Sequence, residues 1–271
     1  MNVMKKSNFA AVALCVPLVA MSYSCSPHAE KTTDGRGIEL NVFGNDDSSD
    51  SRVVTDKRKL GYYSQVSCSL PCDMEFVQGS GSSIEITGGK DFVDNVDVIH
   101  DGETLRLRWK DGWRKKSMRN VDLKIRLVSP DLVKLSLSGA VDFESKGLLD
   151  TDNLHVGLSG ACEVKFGNVV CDSFTMGLSG AGELKADDIK AQKVDVKISG
   201  AGESDLHLTD VRDTRVSVSG AGDIDVTFVN CDHADCHISG AGDITLEGSL
   251  KSLSKSVSGA GSIDIKKLNV R

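Results

Sequence analysis

The chain has 271 residues, of which 39% are hydrophobic, 5% aromatic and 26% charged, and its formal net charge is −7. Nucleic-acid binding begins with a basic surface that neutralises phosphates, so this acidic balance argues against nucleic acid as a partner. Aromatic residues are scarce while 27 glycines are present. Small and aliphatic side chains must therefore build the core, which favours a narrow and repetitive interior.

Residues 1–24 have the pattern of a bacterial signal peptide. Lys5 and Lys6 form a short basic region, and the apolar run from Phe9 to Met21 is shorter than the roughly 20 residues of a membrane-spanning helix. The Ser-Tyr-Ser before Cys25 resembles a lipobox, where signal peptidase cuts before a cysteine that carries diacylglycerol. We expect a lipid on Cys25 to hold the protein on a membrane, the alternative being a plain secretory signal with an incidental cysteine.

Residues 25–51 are predicted to form the lipid anchor and a flexible tether. Their composition is mostly polar, and residues 45–51 contain no apolar side chain. Such a segment cannot bury enough surface to offset its conformational entropy. The folded domain is therefore expected to span residues 52–271.

The tripeptide Ser-Gly-Ala occurs seven times at nearly constant spacing. Its copies begin at Ser138, Ser159, Ser179, Ser199, Ser219, Ser239 and Ser258. The steps between them are 21, 20, 20, 20, 20 and 19 residues. A fixed period of this length is the sequence signature of a repeat architecture.

Apolar residues alternate with period two inside each repeat. They lie five, three and one positions before the serine, as in Leu154, Val156 and Leu158, and five and seven positions after it. A third apolar face is predicted ten positions after the serine and includes Leu148 and Val229. Three short strands per unit of about 20 residues predict an all-β fold, a right-handed parallel β-helix whose coils pair with the coils above and below.

The Ser-Gly-Ala motif is interpreted as a structural corner. The glycine would supply a positive φ or a close backbone approach, the alanine would point into the corner, and the serine would bond neighbouring backbone groups. The seven serines are therefore not predicted to be nucleophiles. Most of the cysteines after Cys25 are expected to be small core residues, whereas Cys162, next to the corner, is expected to be the most exposed thiol.

An acidic residue recurs four positions after the serine of most repeats. These residues are Asp142, Glu163, Glu183, Glu203, Asp223 and Asp243. A solvated edge neutralised by lysines such as Lys165 and Lys185 is the expected state of this column. A cation bound near Asp223, Asp225 and Asp243 is the alternative. Zinc at Cys231, Cys236 and their neighbouring histidines is disfavoured because strand alternation turns the cysteines inward, and no cofactor is predicted.

One segment combines basic and aromatic residues in this acidic chain. It contains Arg106, Arg108, Trp109, Trp113 and Arg114. These residues form the candidate contact surface for an anionic glycan or a cell-envelope component. The alternative is a hairpin with a polar tip and half-buried tryptophans. Enzymes on β-helices need converging carboxylates and aromatic sugar platforms, and no such set is evident, so no catalytic activity is predicted.

The repeats and the strands before them resemble the head GIN domain family of auto-transporter adhesins, which is abundant in Bacteroidetes lipoproteins. The resemblance covers residues 53–271, and its opening strands correspond to residues 62–66, 72–79, 84–86 and 104–108. The Gly-Ile-Asn triplet of the family's name is absent near residues 71–73. The resemblance implies a β-helical, secreted or surface-attached protein, and it supplies no catalytic residues.

These observations predict a non-catalytic, lipid-anchored cell-envelope protein that is adhesin-like or structural. A glycan-binding or glycan-processing β-helix protein is the alternative. The expected partners are the membrane, through the N-terminal lipid, and an envelope or host glycan or protein, with the oligomeric state left open. In Bacteroidetes lipoproteins, surface export goes with an acidic run directly after the lipidated cysteine, whereas here Glu30 is offset by Lys31. The periplasmic face of the outer membrane is therefore favoured over the cell surface.

Overall fold

The computed structural model describes residues 52–113 and 121–271. The predicted signal peptide, Cys25, the tether and Arg114 lie outside the described residues. The described chain is almost entirely β-structure, in a single hydrogen-bonded sheet that coils into a solenoid. One short helix, α1 (Lys90–Val93), interrupts the strands.

The strands before the repeats are short. They are β1 (Val53–Lys59), β2 (Gln65–Cys68), β3 (Cys72–Gln78), β4 (Ser83–Gly89), β5 (Val96–Asp101), β6 (Thr104–Trp109) and β7 (Leu123–Ser129). Most of the repeat strands are longer, because they continue around the bends that lie between successive Ser-Gly-Ala corners. They are β8 (Lys134–Leu137), β9 (Ala140–Asp150), β10 (Asn153–Leu158), β11 (Ala161–Leu178), β12 (Glu183–Ile198), β13 (Glu203–Thr209), β14 (Asp213–Val218), β15 (Asp223–Ile238), β16 (Asp243–Val257) and β17 (Ser262–Val270).

The repeat strands form a parallel β-helix with about 20 residues per coil, as the sequence predicted. Pairing between β11 and β12 shows the register: Glu163 lies beside Glu183, and Leu178 lies beside Ile198. That ladder runs through residues 163–166, 168–171 and 173–178, which confirms three strand segments per coil. The stacked interior is filled by columns of buried aliphatic side chains.

The third face of the coil differs from the prediction at two positions. Leu148 is 56% exposed and Val229 is 42% exposed, because the backbone bulges there. Gly147 adopts a φ of +83° beside Leu148, and the pairing register shifts, so Leu149 takes the inward position. The equivalent bulge in β15 has Asn230 at a φ of +57° and turns Cys231 inward.

The corner glycines are required by close packing between coils. Their φ angles are not in the left-handed region; instead, a Cβ added to Gly200 would lie 2.0 Å from the carbonyl oxygen of Gly180. The prediction for the alanine was wrong, because alternation exposes residues such as Ala201 and turns the next position, Gly202, inward. The corner is therefore narrow because successive backbones touch, and no side chain fits between them.

The corner serines make mainly backbone contacts. The Ser179 N–H donates to the Leu158 carbonyl at 2.9 Å, and its hydroxyl lies 3.4 Å from the same oxygen. The Ser199 hydroxyl repeats this geometry with Leu178, also at 3.4 Å. At this length the side-chain hydrogen bond is weak, so the serines support the corner only modestly.

The first coil of the chain is inserted into the stack out of sequence order. Strand β2 lies between β6 and β8, and β3 lies between β7 and β9. The Gln78 side chain joins the two flanking coils where the ladder of β3 ends. Its amide donates to Pro130 O at 2.9 Å and to Asp150 O at 2.7 Å, and its oxygen accepts the Asp150 N–H. Antiparallel strands β4 and β1 then extend the sheet beyond β7.

The hydroxyls of Ser204 and Thr214 are buried in the apolar columns without a hydrogen-bond partner among the described residues, and Thr214 gives a stability prediction. Thr214 is buried between Val194 and Ala234, and its hydroxyl has no hydrogen-bond partner among the described residues. Thr214→Val keeps the shape and removes this unpaired polar group, so we expect stability to rise by about 1 kcal/mol. Thermal unfolding followed by circular dichroism measures the gain. A melting temperature below that of the wild type would contradict the assignment of this column to the core.

Candidate functional site

Seven carboxylates form a continuous column on the outside of the solenoid, which we call the acidic face. It consists of Asp73, Asp142, Glu163, Glu183, Glu203, Asp223 and Asp243. Neighbouring members lie on adjacent strands, which are about 4.8 Å apart. Asp73 is missing from the sequence prediction because it joins the column through the inserted strand β3.

Lysines neutralise part of the acidic face, as expected. Lys165 and Lys185 each place Nζ 2.5 Å from the carboxylate two residues earlier, Glu163 and Glu183 respectively. Further along, the carboxylates accept backbone hydrogen bonds, with Asp223 Oδ1 3.0 Å from the Asp243 nitrogen. In the described part of the chain, no three His, Cys, Asp or Glu side chains are grouped so that they could hold a metal ion.

An open groove of about 550 Å³ lies at the end of the acidic face, across strands β4, β7, β3, β9 and β11. Its charged lining includes six acids and three bases. The acids are Asp73, Glu75, Glu85, Asp142, Glu144 and Glu163, and the bases are Lys124, Arg126 and Lys165. The groove is therefore acidic overall, and it suits a polar partner that offers cations or hydrogen-bond donors.

Asp142 has a raised pKa in this groove. Burial raises its pKa, and the flanking carboxylates Glu163 and Asp73 raise it further. The pKa of Glu163 is instead lowered, because the Lys165 ammonium binds its carboxylate. A carboxyl with a raised pKa beside one with a lowered pKa is an arrangement that general acid–base chemistry uses, although stacking of like charges also produces it.

The predicted basic and aromatic patch is divided between two faces. Arg106 and Arg108 point outward, whereas Trp109 continues the inward alternation of Leu105 and Leu107. Arg108 is neutralised by Asp97 at 3.1 Å and by Asp111 at 2.8 Å.

The tryptophans pack against each other and the helix. The ring centroids of Trp109 and Trp113 are 4.4 Å apart, and each lies 6.1 Å from that of Phe92 in α1. This arrangement matches the half-buried alternative to a contact surface. It leaves Arg106 as the predicted contact residue that is both exposed and without a salt bridge among the described residues.

The described cysteines face the interior. Cys162 is only 3% exposed, so the prediction of an exposed thiol was wrong. It stands three positions after the serine, where alternation turns the side chain inward. Burial raises the pKa of Cys171 to about 11 and that of Cys236 to about 12, which keeps these thiols protonated at neutral pH.

The fold and the groove define a class: a parallel β-solenoid whose polar surface is suited to binding. The family described as "Putative auto-transporter adhesin, head GIN domain" matches residues 62–227 and 204–271. The chain belongs to this family, as its repeats indicated. An adhesin family is one of extracytoplasmic or envelope proteins.

Solved structures show the same fold. A "putative adhesin" from Bacteroides fragilis has a TM-score of 0.71 at 23% identity, covering 78% of this chain and 96% of its own. A "putative lipid binding protein" from Parabacteroides distasonis has a TM-score of 0.64 at 21% identity, covering 78% and 96%. No curated protein matches the chain. No helix among the described residues is long and apolar enough to cross a membrane.

The raised pKa of Asp142 gives a prediction with a defined sign. Because the folded protein holds this proton more tightly than the unfolded chain, the ionised carboxylate opposes folding. This penalty is absent well below the ordinary pKa of 3.8 and develops as the pH rises through and above it. We expect Asp142→Asn to raise the melting temperature at pH 7 and to have little effect near about pH 3. Glu163→Gln is the control, and it should give no gain at pH 7 because it discards the ion pair with Lys165.

Proposed function

We propose that this protein is a lipid-anchored, non-catalytic envelope protein that acts as an adhesin-like binding module. Lipidation at Cys25 and a position on the periplasmic face of the outer membrane are parts of this proposal. The observation that carries it is the groove at the end of the acidic face, a surface lined by six acids and three bases, open to solvent, on a stack of hydrogen-bonded coils. Membership of an adhesin family supports the same role.

The groove is better suited to binding a partner than to catalysis. Two of its three bases are paired with its own acids, with Arg126 3.9 Å from Glu75 and Lys165 2.5 Å from Glu163. Phe143 is the aromatic residue of the lining, and its side chain is buried in the core, where it cannot stack on a sugar. The partner would therefore be a polar or cationic surface of an envelope or host macromolecule.

Anchoring and location can be tested in cells. The full-length chain and its Cys25→Ser variant are expressed in a Bacteroides host that is fed an alkyne fatty acid. We expect the wild type to carry the label and to fractionate with the outer membrane, and the variant to lose both properties. An antibody to the β-helix should label permeabilised cells only. A wild type without label would contradict lipidation at Cys25, and staining of intact cells would place the domain on the cell surface.

A glycan-processing role is the second candidate, and Asp142 is the observation that favours it. A carboxyl with a raised pKa between two other carboxyls could act as a general acid in glycoside hydrolysis. Turnover of envelope polysaccharide that Asp142→Asn abolishes would establish this role. Binding that survives the substitution, without any shortening of the glycan, supports the adhesin-like role.

A further inference from the structure

Two cysteine thiols touch at the corner of the inserted coil. Cys68 is the last residue of β2, Cys72 is the first of β3, and their sulfur atoms are 3.8 Å apart. Cys68 is 1% exposed and Cys72 is 6% exposed. An S–S bond is about 2.05 Å long, so the sulfurs are already within about 2 Å of bonding distance.

The strand register places this cysteine pair at the two positions that flank a corner of the solenoid. Cys68 lies beside Leu137, and Cys72 lies beside Val141, which flank the corner that begins at Ser138. The seven Ser-Gly-Ala corners have at most one cysteine at these two positions. The inserted corner has the sequence Ser-Leu-Pro at residues 69–71, so it also lacks the glycine that the other corners use.

We propose that Cys68 and Cys72 form a disulfide across this corner, made by thiol–disulfide exchange while the chain folds. The inserted coil is then closed by a covalent bond, whereas the other coils are closed by glycine packing. Its occurrence in cells rests on the extracytoplasmic location of the proposed function, because disulfides persist in oxidising compartments.

The exchange needs a disulfide donor, such as oxidised glutathione or an envelope oxidoreductase. The Cys68 thiolate attacks one donor sulfur and releases the other as a thiolate, which leaves a mixed disulfide. The Cys72 thiol then loses its proton, attacks the Cys68 sulfur and displaces the second donor thiolate. Two cysteine thiols are thereby oxidised and one donor disulfide is reduced to two thiols. The hydrogen bond from Cys72 lowers the pKa of Cys68, which suits Cys68 to the first attack.

The test uses the full chain purified from the expressing cells and alkylated in denaturant before reduction. We expect mass spectrometry to find Cys68 and Cys72 unlabelled until a reductant is added. The internal control is Cys236, which should be alkylated without reduction because it lies alone in its core column. A second arm unfolds and reduces the same protein and refolds it with oxidised glutathione.

The two arms distinguish a wrong disulfide assignment from a wrong cellular location. Free thiols at both positions after refolding would overturn the disulfide. A disulfide after refolding, with free thiols in the cell-derived protein, would support the pair but contradict the extracytoplasmic location. We also expect reductant to lower the melting temperature of the wild type and of Cys171→Ser by a few degrees, and to leave Cys72→Ser unchanged.

Discussion

Gly220→Ala should destabilise the protein by about 3 kcal/mol or more, and Gly220→Val by more still. The added Cβ would lie 2.0 Å from the carbonyl oxygen of Gly200 in the preceding coil. Neither atom can rotate away, because both belong to backbones fixed by ladder hydrogen bonds on either side. The coils would have to separate at the corner and lose those bonds. Chemical denaturation followed by circular dichroism measures the loss.

Two matched variants isolate the corner contact. Gly177→Ala adds the same methyl group at an outward position with no heavy atom within 4 Å, and it should change stability by less than about 0.5 kcal/mol. Ser199→Ala removes a hydroxyl 3.4 Å from its acceptor, and it should cost no more than about 1 kcal/mol. If Gly220→Ala melted like Gly177→Ala, close packing at the corners would not hold the coils in place.

Ile224→Asp should prevent folding. Ile224 is fully buried in β15, stacked between Ser204 and Ile244 of the neighbouring coils. A carboxyl there would have no cation to pair with, and its desolvation together with the lost isoleucine packing is comparable with the roughly 5–15 kcal/mol that stabilises a domain. Soluble yield, far-ultraviolet circular dichroism and protease resistance report the outcome.

Thr227→Asp is the control for the buried charge. It places the same carboxylate three residues along β15, on the outward side of the strand beside His207 and Glu247. This variant should fold with a melting temperature close to that of the wild type. Normal folding of Ile224→Asp would mean that the inward columns are assigned to the wrong face.

The regular part of the fold could be predicted because the repeat period determines which residues pair between coils and local alternation determines which side chains face the core. A step of 20 residues alone places Glu163 beside Glu183, and period-two alternation places Val164 and Phe166 in the core. The same alternation also accounts for two features that the prediction missed. It turns Cys162 inward, and it separates Arg106 from Trp109 on opposite faces of β6.

Other features depend on information that a local pattern does not contain. The bulge at Gly147 shifts the inward position from Leu148 to Leu149, and both residues are leucine, so composition cannot tell them apart. The insertion of β2 and β3 between later coils is set by long-range pairing. That insertion brings Asp73 beside Asp142 and creates the groove, so the candidate site could not be located from the repeats alone.

Binding measured together with a mass balance of the glycan decides between an adhesin-like role and a glycan-processing role. The full-length protein is incubated with size-fractionated envelope polysaccharide and with envelope proteins, and both the bound fraction and the chain length of the recovered glycan are determined. The adhesin-like role predicts saturable binding that weakens when Glu75 and Glu144 in the groove are replaced by lysine, with the recovered glycan unchanged in length. Shortened glycan, produced by the wild type and not by Asp142→Asn, would contradict it.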